Sequence, residues 1–176
     1  MPVSSAVNSE TFKVSTPSDT EICLTRLFDA PREVIFEVMT KPEHVQRWWG
    51  QMGEGYSTFA EGDVRVGGKW HYITRHPKGE VEFYGEYREL KPPERFVFTE
   101  IYAPFPPAKP DDASVCTVVL TEEKGKTRMT LTAKYDSLAT RDMVLQSGME
   151  KGAALGYDRL EEIAKELQRS RAVGGL

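Results

Sequence analysis

Glu100 is the carboxylate in this sequence that is most suggestive of acid–base chemistry or ligand binding. It lies in the run RFVFTEIY, residues 95–102. Side chains alternate between the two faces of a β-strand, so Glu100 shares a face with Phe96 and Phe98. A carboxyl group among aromatic rings has its charged form disfavoured and can act as an acid or a base. The alternative is a solvated glutamate on the outward face. Glu100 is therefore a weak catalytic candidate and a candidate for orienting a ligand.

The histidines and cysteines give little support to metal or nucleophilic chemistry. His44, His71 and His76 do not have the spacing of metal ligands, so we expect neither a metal site nor a cofactor. Cys23 and Cys116 lie in predicted strands, where thiols usually behave as small, reduced hydrophobes. No nucleophile motif accompanies them. We expect a binding protein in preference to an enzyme.

Aromatic and apolar side chains recur on one face of each predicted strand. The sets are Trp70 with Tyr72, Phe83 with Tyr87, Phe96 with Phe98, and Met129 with Leu131 and Tyr135. If these faces turn inward, they line an aromatic cavity with a few hydroxyl groups, as small-molecule sites do. The alternative is that the same residues fill a solid core.

Trp48 and Trp49 end a predicted short helix. Adjacent helical residues point about 100° apart, so one indole can pack inward while the other edges the mouth of a cavity, where it could stack on a ligand.

The glycine pair Gly67 and Gly68, in the run GDVRVGGKWHY, raises the question of a phosphate loop. Such a loop requires glycines between a strand and the start of a helix, whereas this pair lies between two predicted strands. Glycine in that setting marks a bulge or a sharp bend. The pair is therefore predicted to turn the chain at a hairpin and to bind nothing.

The elements that must position these residues follow the order β-αα-ββββββ-α. The predicted strands are 21–30, 57–66, 68–75, 81–90, 95–102, 114–122 and 127–135, and the last element is one helix from about Thr140 to Arg169. A Pro-rich loop, residues 103–113, joins two of the strands. The pattern predicts an α+β fold with a seven-stranded, curved antiparallel sheet around a long C-terminal helix.

The chain length of 176 residues predicts one domain over residues 21–170, with a flexible arm at 1–20 and a flexible tail at 171–176. The net charge of −4 argues against nucleic acid as a partner. No apolar run approaches the length of a membrane span, and the N-terminus lacks the pattern of a secretory signal. We expect a cytoplasmic protein.

Four motifs in order resemble those of the activator of heat-shock protein 90 ATPase homologue family, within the SRPBCC (START-like, birch-pollen-allergen-like) superfamily. They are RLFDAPREVIFEVMTKPEHVQRWWG, DVRVGGKWHY, GEYRELKPPERFVFTE and GMEKGAALGYDRLEEI, and they span about Glu21 to Leu167. The resemblance implies a helix-grip fold that encloses a hydrophobic cavity. Relatives usually carry Gly-Trp in the final helix, whereas this chain has Gly152-Ala153, which would leave space inside.

The resemblance and the aromatic faces together predict a carrier or sensor of a hydrophobic small molecule. The predicted ligand-binding residues are Trp48, Trp49, Trp70, Tyr72, Phe83, Tyr87, Phe98, Glu100, Met129, Leu131, Tyr135, Ala153 and Tyr157. One alternative is a cyclase-like or hydrolase-like enzyme that uses Glu100 or a tyrosine. Another is a module that stimulates a chaperone ATPase; about 20 residues precede the domain, so we do not expect a chaperone partner. A homodimer is left open.

Overall fold

The computed structural model describes residues 11–104, 106–107 and 109–174. Its strands are β1 Phe12–Ser15, β2 Glu21–Phe28, β3 Ser57–Gly62, β4 Lys69–His76, β5 Gly79–Lys91, β6 Arg95–Tyr102, β7 Ser114–Glu123 and β8 Lys126–Lys134. Its helices are α1 Arg32–Thr40, α2 Pro42–Trp48, α3 Leu138–Gln146 and α4 Met149–Gly174, with a short 3-10 turn at Pro110–Asp112.

Within the described residues, eight strands form one antiparallel sheet in the order β1-β2-β8-β7-β6-β5-β4-β3. One face of this sheet packs against α4, whose buried side chains include Tyr157, Leu160 and Ile163. The Tyr157 ring meets Phe28 of β2 edge-on, with 5.8 Å between the ring centroids. This arrangement confirms the predicted α+β class and the helix-grip architecture.

Strand β1 corrects the prediction of seven strands and of a flexible arm over residues 1–20. Phe12 to Ser15 pair with β2, and the Phe12 ring is buried, 5.9 Å from the Tyr157 ring. Pairing covers the backbone groups that an edge strand would otherwise expose, and ring burial adds apolar stabilisation. The Ser, Thr and Pro content of this segment gives no sign of the buried Phe12. Residues 1–10 of the predicted arm lie outside the described residues.

The C-terminal region also differs from its prediction, because the expected single helix is two. Helix α3 ends at Gln146, and α4 begins at Met149 after Gly148 adopts a φ of +86°. A left-handed glycine ends a helix at little steric cost. At the other end, α4 continues to Gly174, so residues 171–174 of the predicted tail are helical. Residues 175–176 lie outside the described residues.

The glycine pair has the architectural role that was predicted. Strand β3 ends at Gly62, and the chain turns before β4 begins. Gly67 has a φ of +83°, which favours glycine, and a Cβ at Gly68 would overlap the carbonyl oxygen of Asp63. The pair closes a tight turn between two strands.

Glu37 of α1 joins the helices at a polar cluster that we call the helix junction: Glu37, Lys41, His44 and Arg171. The Glu37 carboxylate accepts hydrogen bonds from both Arg171 nitrogens, at 2.6 and 2.9 Å, and from Lys41 Nζ at 3.3 Å. His44 Nε2 lies 3.4 Å from the same carboxylate. The Arg171 and Lys41 contacts lower the pKa of Glu37 to about 2, chiefly through the Arg171 hydrogen bonds.

Candidate functional site

Strand register brings the chemically interesting side chains into one row across the inner face of the sheet. Trp70 of β4 pairs with Gly85 of β5, and Glu100 of β6 pairs with Ser114 of β7. Tyr84 pairs with Ile101, so the next positions, Gly85 and Glu100, are neighbours as well. We call Trp70, Gly85, Glu100 and Ser114 the polar row. From β4 to β7, these four positions carry an indole, no side chain (the glycine), a carboxyl group and a hydroxyl group.

Aromatic rings beside the polar row form a continuous network. Ring centroids lie 4.6 Å apart for Trp70 and Tyr72, and 5.7 Å apart for Trp70 and Phe98. Trp49 lies 5.2 Å from Tyr72 and 5.4 Å from Phe83, both edge-on. Edge-to-face contacts of this kind stabilise beyond the apolar area they bury. The interior is therefore walled by rings that hold one another in place.

A cavity of about 40 Å³ remains between these rings. Its lining residues are Met39, Trp48, Trp49, Trp70, Tyr72, Tyr87, Phe96, Phe98, Leu131 and Tyr157. Sites for drug-sized ligands occupy about 300 to 1,000 Å³, and about 10 to 15 Å³ already admits a water molecule. The ligand-sized space that the resemblance implies is thus largely filled by aromatic side chains.

The predicted ligand-binding residues divide into two groups. Eight of them line the cavity: Trp48, Trp49, Trp70, Tyr72, Tyr87, Phe98, Leu131 and Tyr157. Five do not: Phe83, Glu100, Met129, Tyr135 and Ala153. Met129 is fully buried in the core, and Phe83, Tyr135 and Ala153 are half-buried against it. Met39 and Phe96 line the cavity but were not on the predicted list; the helical stripe of α1 and the parity of β6 are the signals that point to them.

Trp49, the half-buried indole at the cavity, is held through its own backbone. Its carbonyl oxygen accepts a hydrogen bond of 2.6 Å from Thr58 Oγ1, and that hydroxyl shares a second hydrogen bond of 2.8 Å with Thr74 Oγ1. Gly50 follows with a φ of +69°, and a Cβ there would lie within 3.0 Å of both threonines. Position 50 therefore requires glycine. The backbone held in this way places the Trp49 indole against Tyr72 and Phe83.

Glu100 lies on the inward face, and its surroundings perturb it strongly. Burial disfavours the charged form and raises the pKa of the Glu100 carboxyl to about 7. No cation in the described part of the chain offsets this effect. The carboxyl group therefore changes its charge near neutral pH inside an aromatic interior.

The hydroxyl groups in this part of the interior are phenols, which are neutral at pH 7 and whose pKa values burial raises further. Burial raises the pKa of Tyr87 to about 12, and it raises the pKa values of Tyr72, Tyr135 and Tyr157 as well, with the Glu100 charge adding to the effect in these last three. Tyr72 and Tyr87 also hydrogen-bond each other through their hydroxyls.

Cys116, the remaining acidic group near Glu100, is no better suited to chemistry. Burial raises the pKa of the Cys116 thiol too, which makes it a poor nucleophile. The described side chains around Glu100 therefore supply hydrogen-bonding groups but no activated nucleophile.

Trp70 carries an unmatched polar group at the centre of this region. The residue is 3% exposed, and no described residue accepts a hydrogen bond from its Nε1–H. The nitrogen lies 3.0 Å from the position that a Cβ on Gly85 would occupy, and that Cβ would also overlap the carbonyl oxygen of Thr99. Gly85 therefore makes room for the indole edge. A buried donor without a partner costs about 1–3 kcal/mol and requires an explanation.

Other polar groups are matched within the described residues. Arg26 is buried, yet its guanidinium donates to Asp158 at 2.6 Å and to Glu161 at 3.4 Å, both on α4. His71 Nε2 lies 3.0 Å from Glu82 on the outer face of the sheet. In the described part of the chain, no three His, Cys, Asp or Glu side chains cluster as metal ligands would.

A broad, open depression of about 600 Å³ lies on the sheet near Trp70, lined by Glu61, Gly62, Lys69, Trp70, His71, Tyr84 and Gly85. It is a surface hollow and does not enclose a ligand. No helix among the described residues is long and apolar enough to cross a membrane.

Comparison with known proteins identifies the family. The family model described as "Activator of Hsp90 ATPase homolog 1-like protein" matches residues 29–165. The chain belongs to this family. The resemblance carried by the sequence motifs is thereby confirmed. No curated protein matches the chain.

Solved structures share the fold. A crystal structure from Mycobacterium smegmatis is 25% identical with a TM-score of 0.75, covering 86% of this chain and 94% of that chain. A protein from Rhodobacter sphaeroides is 20% identical with a TM-score of 0.77, covering 88% and 99%. An HSP90 activator from Plasmodium falciparum is 23% identical with a TM-score of 0.52, covering 66% and 73%. The last two likenesses concern the fold alone.

Proposed function

We propose that this chain binds a small, largely apolar molecule in the interior beside the polar row. The observation that supports this most directly is the unfilled space of about 40 Å³ where ten side chains from helices and strands converge. Walls of Trp, Tyr and Phe with a few hydroxyl groups are the usual composition of small-molecule sites. The family's fold binds ligands in general.

A ligand requires the cavity to expand, and Trp49 is the side chain that we expect to move. Its indole is half-buried and caps the cavity, whereas Trp48 beside it is 5% exposed and anchored by a 2.9 Å hydrogen bond from its Nε1 to the Val38 carbonyl. The segment after Trp49, residues 51–56, has no helix or strand. Rotation of Trp49 toward this segment would open the interior without breaking the sheet.

Apolar burial sets the expected affinity. An aromatic ligand that buries about 250 Å² would gain about 6 kcal/mol at 25 cal/mol per Å². Ordering costs and the work of displacing Trp49 subtract from this gain. Binding is therefore expected in the micromolar range or weaker for a simple aromatic hydrocarbon.

The test is uptake of the neutral dye phenylnaphthylamine by the purified protein, followed by fluorescence, together with native mass spectrometry for any retained molecule. We expect saturable binding with one dye per chain, and about tenfold tighter binding by Trp49→Ala, which removes the cap. Phe59→Ala is the matched control, since Phe59 is 55% exposed on β3. Absence of saturable uptake by both the wild-type protein and Trp49→Ala would contradict the proposal.

A further inference from the structure

The polar row contains two groups whose hydrogen-bonding needs are complementary. The Trp70 indole can only donate a hydrogen bond, and no described residue accepts it. The Glu100 carboxyl can accept hydrogen bonds, and no described cation balances its charge. Gly85, between them on the intervening strand, has no side chain to separate them.

The register limits how far apart these groups can be. Trp70 Nε1 lies 3.0 Å from the position of a Cβ on Gly85. The pairs on either side, Tyr84 with Ile101 and Tyr87 with Phe98, place Glu100 of β6 beside Gly85, so the indole nitrogen and Glu100 flank the same gap in the inner face. One small polar group in that gap could contact both side chains.

We propose that Trp70 and Glu100 are the pair that recognises the polar head of the ligand, and that this head is a hydroxyl or amide group on an otherwise apolar molecule. Such a group accepts a hydrogen bond from the indole N–H and donates one to the carboxyl oxygen. This inference rests on the proposed function and narrows it to a ligand class.

Other head groups satisfy the pair less well. An ether or ester oxygen accepts from Trp70 but gives nothing to Glu100. A carboxylate would place a second negative charge near Glu100, whose own charge no described cation offsets. A pure hydrocarbon leaves the indole N–H unpaired, and the cost of that unpaired donor persists in the complex. The polar row therefore discriminates by head group, while the aromatic walls bind the body.

The experiment measures displacement of phenylnaphthylamine by three matched compounds: naphthalene, methoxynaphthalene and naphthol, substituted at the same ring carbon. At about pH 8 the wild-type protein should bind naphthol at least about tenfold more tightly than naphthalene, with methoxynaphthalene between them. Trp70→Phe should remove the advantage of methoxynaphthalene over naphthalene. Glu100→Gln should reduce the advantage of naphthol over methoxynaphthalene severalfold.

Naphthalene binding is the internal control, because it should persist in both variants if their interiors are intact. Glu82→Gln makes the same chemical change on β5 at a residue that contacts His71, and should alter no affinity. Equal affinity of the wild-type protein for naphthalene and naphthol would overturn this inference and leave the proposed function standing. Failure of the wild-type protein to bind the dye or any of the three compounds would overturn both.

Discussion

Glu37 and Glu100 are both withdrawn from bulk water, and the protein treats them in opposite ways. At the helix junction, Arg171 and Lys41 donate to Glu37 and lower its pKa to about 2. In the polar row, burial without a cation raises the pKa of Glu100 to about 7. Partner charges, and not burial alone, decide the sign of each shift.

The contrast separates a carboxylate that is paired within the chain from one that we propose contacts a ligand. Glu37 ties α1, α2 and α4 together through partners within the chain. The Trp70 indole faces the interior with a donor that no described residue accepts, and an unused group of this kind is costly to keep, while no described cation offsets the charge of Glu100. The helix junction therefore stabilises the packing of the helices, whereas the polar row is our candidate ligand-binding site.

Gly85→Ala should have the largest effect, because it fills the gap in the polar row. The new Cβ would overlap the Thr99 carbonyl oxygen and press on the Trp70 indole, and backbone cannot yield as a flexible side chain can. We expect a loss of about 3 kcal/mol in the free energy of unfolding, measured by urea denaturation. Gly62→Ala is the control on the other side of Trp70, where the nearest atom is 3.3 Å away, and should cost about 1 kcal/mol.

Glu100→Gln should remove part of the pH dependence of stability. Since the folded pKa is raised from 4.5 to about 7, the folded state binds more protons in that window. The wild-type protein should therefore lose stability as pH rises from about 4.5 to just above 7, by up to about 3 kcal/mol. The glutamine variant should lack this slope and be more stable than wild type at about pH 8. Equal slopes for wild type and variant would show that Glu100 is not desolvated.

Glu37→Gln should have a smaller and opposite effect. The lowered pKa means that this carboxylate stabilises the fold above about 4.5, and that the contribution is lost as pH falls toward 2. Because Arg171 and Lys41 are about half exposed, we expect a cost of only about 1–2 kcal/mol at neutral pH. A double-mutant cycle with Arg171→Gln measures the coupling. Exposed Glu33 on the same helix is the control, and Glu33→Gln should change little.

Met143→Ala on α3 should have the smallest effect on the free energy of unfolding and so gives the reference value for a surface position. Met143 is 42% exposed, and none of the residues of α3 is buried. The free energy of unfolding should change by no more than about 0.5 kcal/mol, as for ordinary surface positions. A loss above about 1 kcal/mol would mean that α3 contributes to the core as much as the helix junction does.

Much of the inner face was predictable because strand parity is local. Alternation alone places Trp70, Tyr72, Tyr87, Phe98 and Leu131 on one side of the sheet, where the structure has them. The sequence left open whether the Glu100 side chain points inward or outward. In the structure it points inward.

Features that depend on distant partners were not predictable. The composition of the N-terminal segment does not predict strand β1, because the burial of Phe12 depends on Tyr157, far along the chain. The break at Gly148 interrupts a pattern that remains helical on both sides. Cavity size depends on how rings from several elements meet, and alternation does not specify rotamers. The unpartnered Trp70 donor follows from the same three-dimensional packing.

Helix α4 runs without interruption from Met149 to Gly174 and carries both Tyr157, which lines the cavity, and Arg171, which binds Glu37. These positions are 14 residues apart, which is about 21 Å along an α-helix. A spectroscopic label in the last turn of α4 could therefore report movement of the whole helix without contacting the aromatic residues that line the cavity.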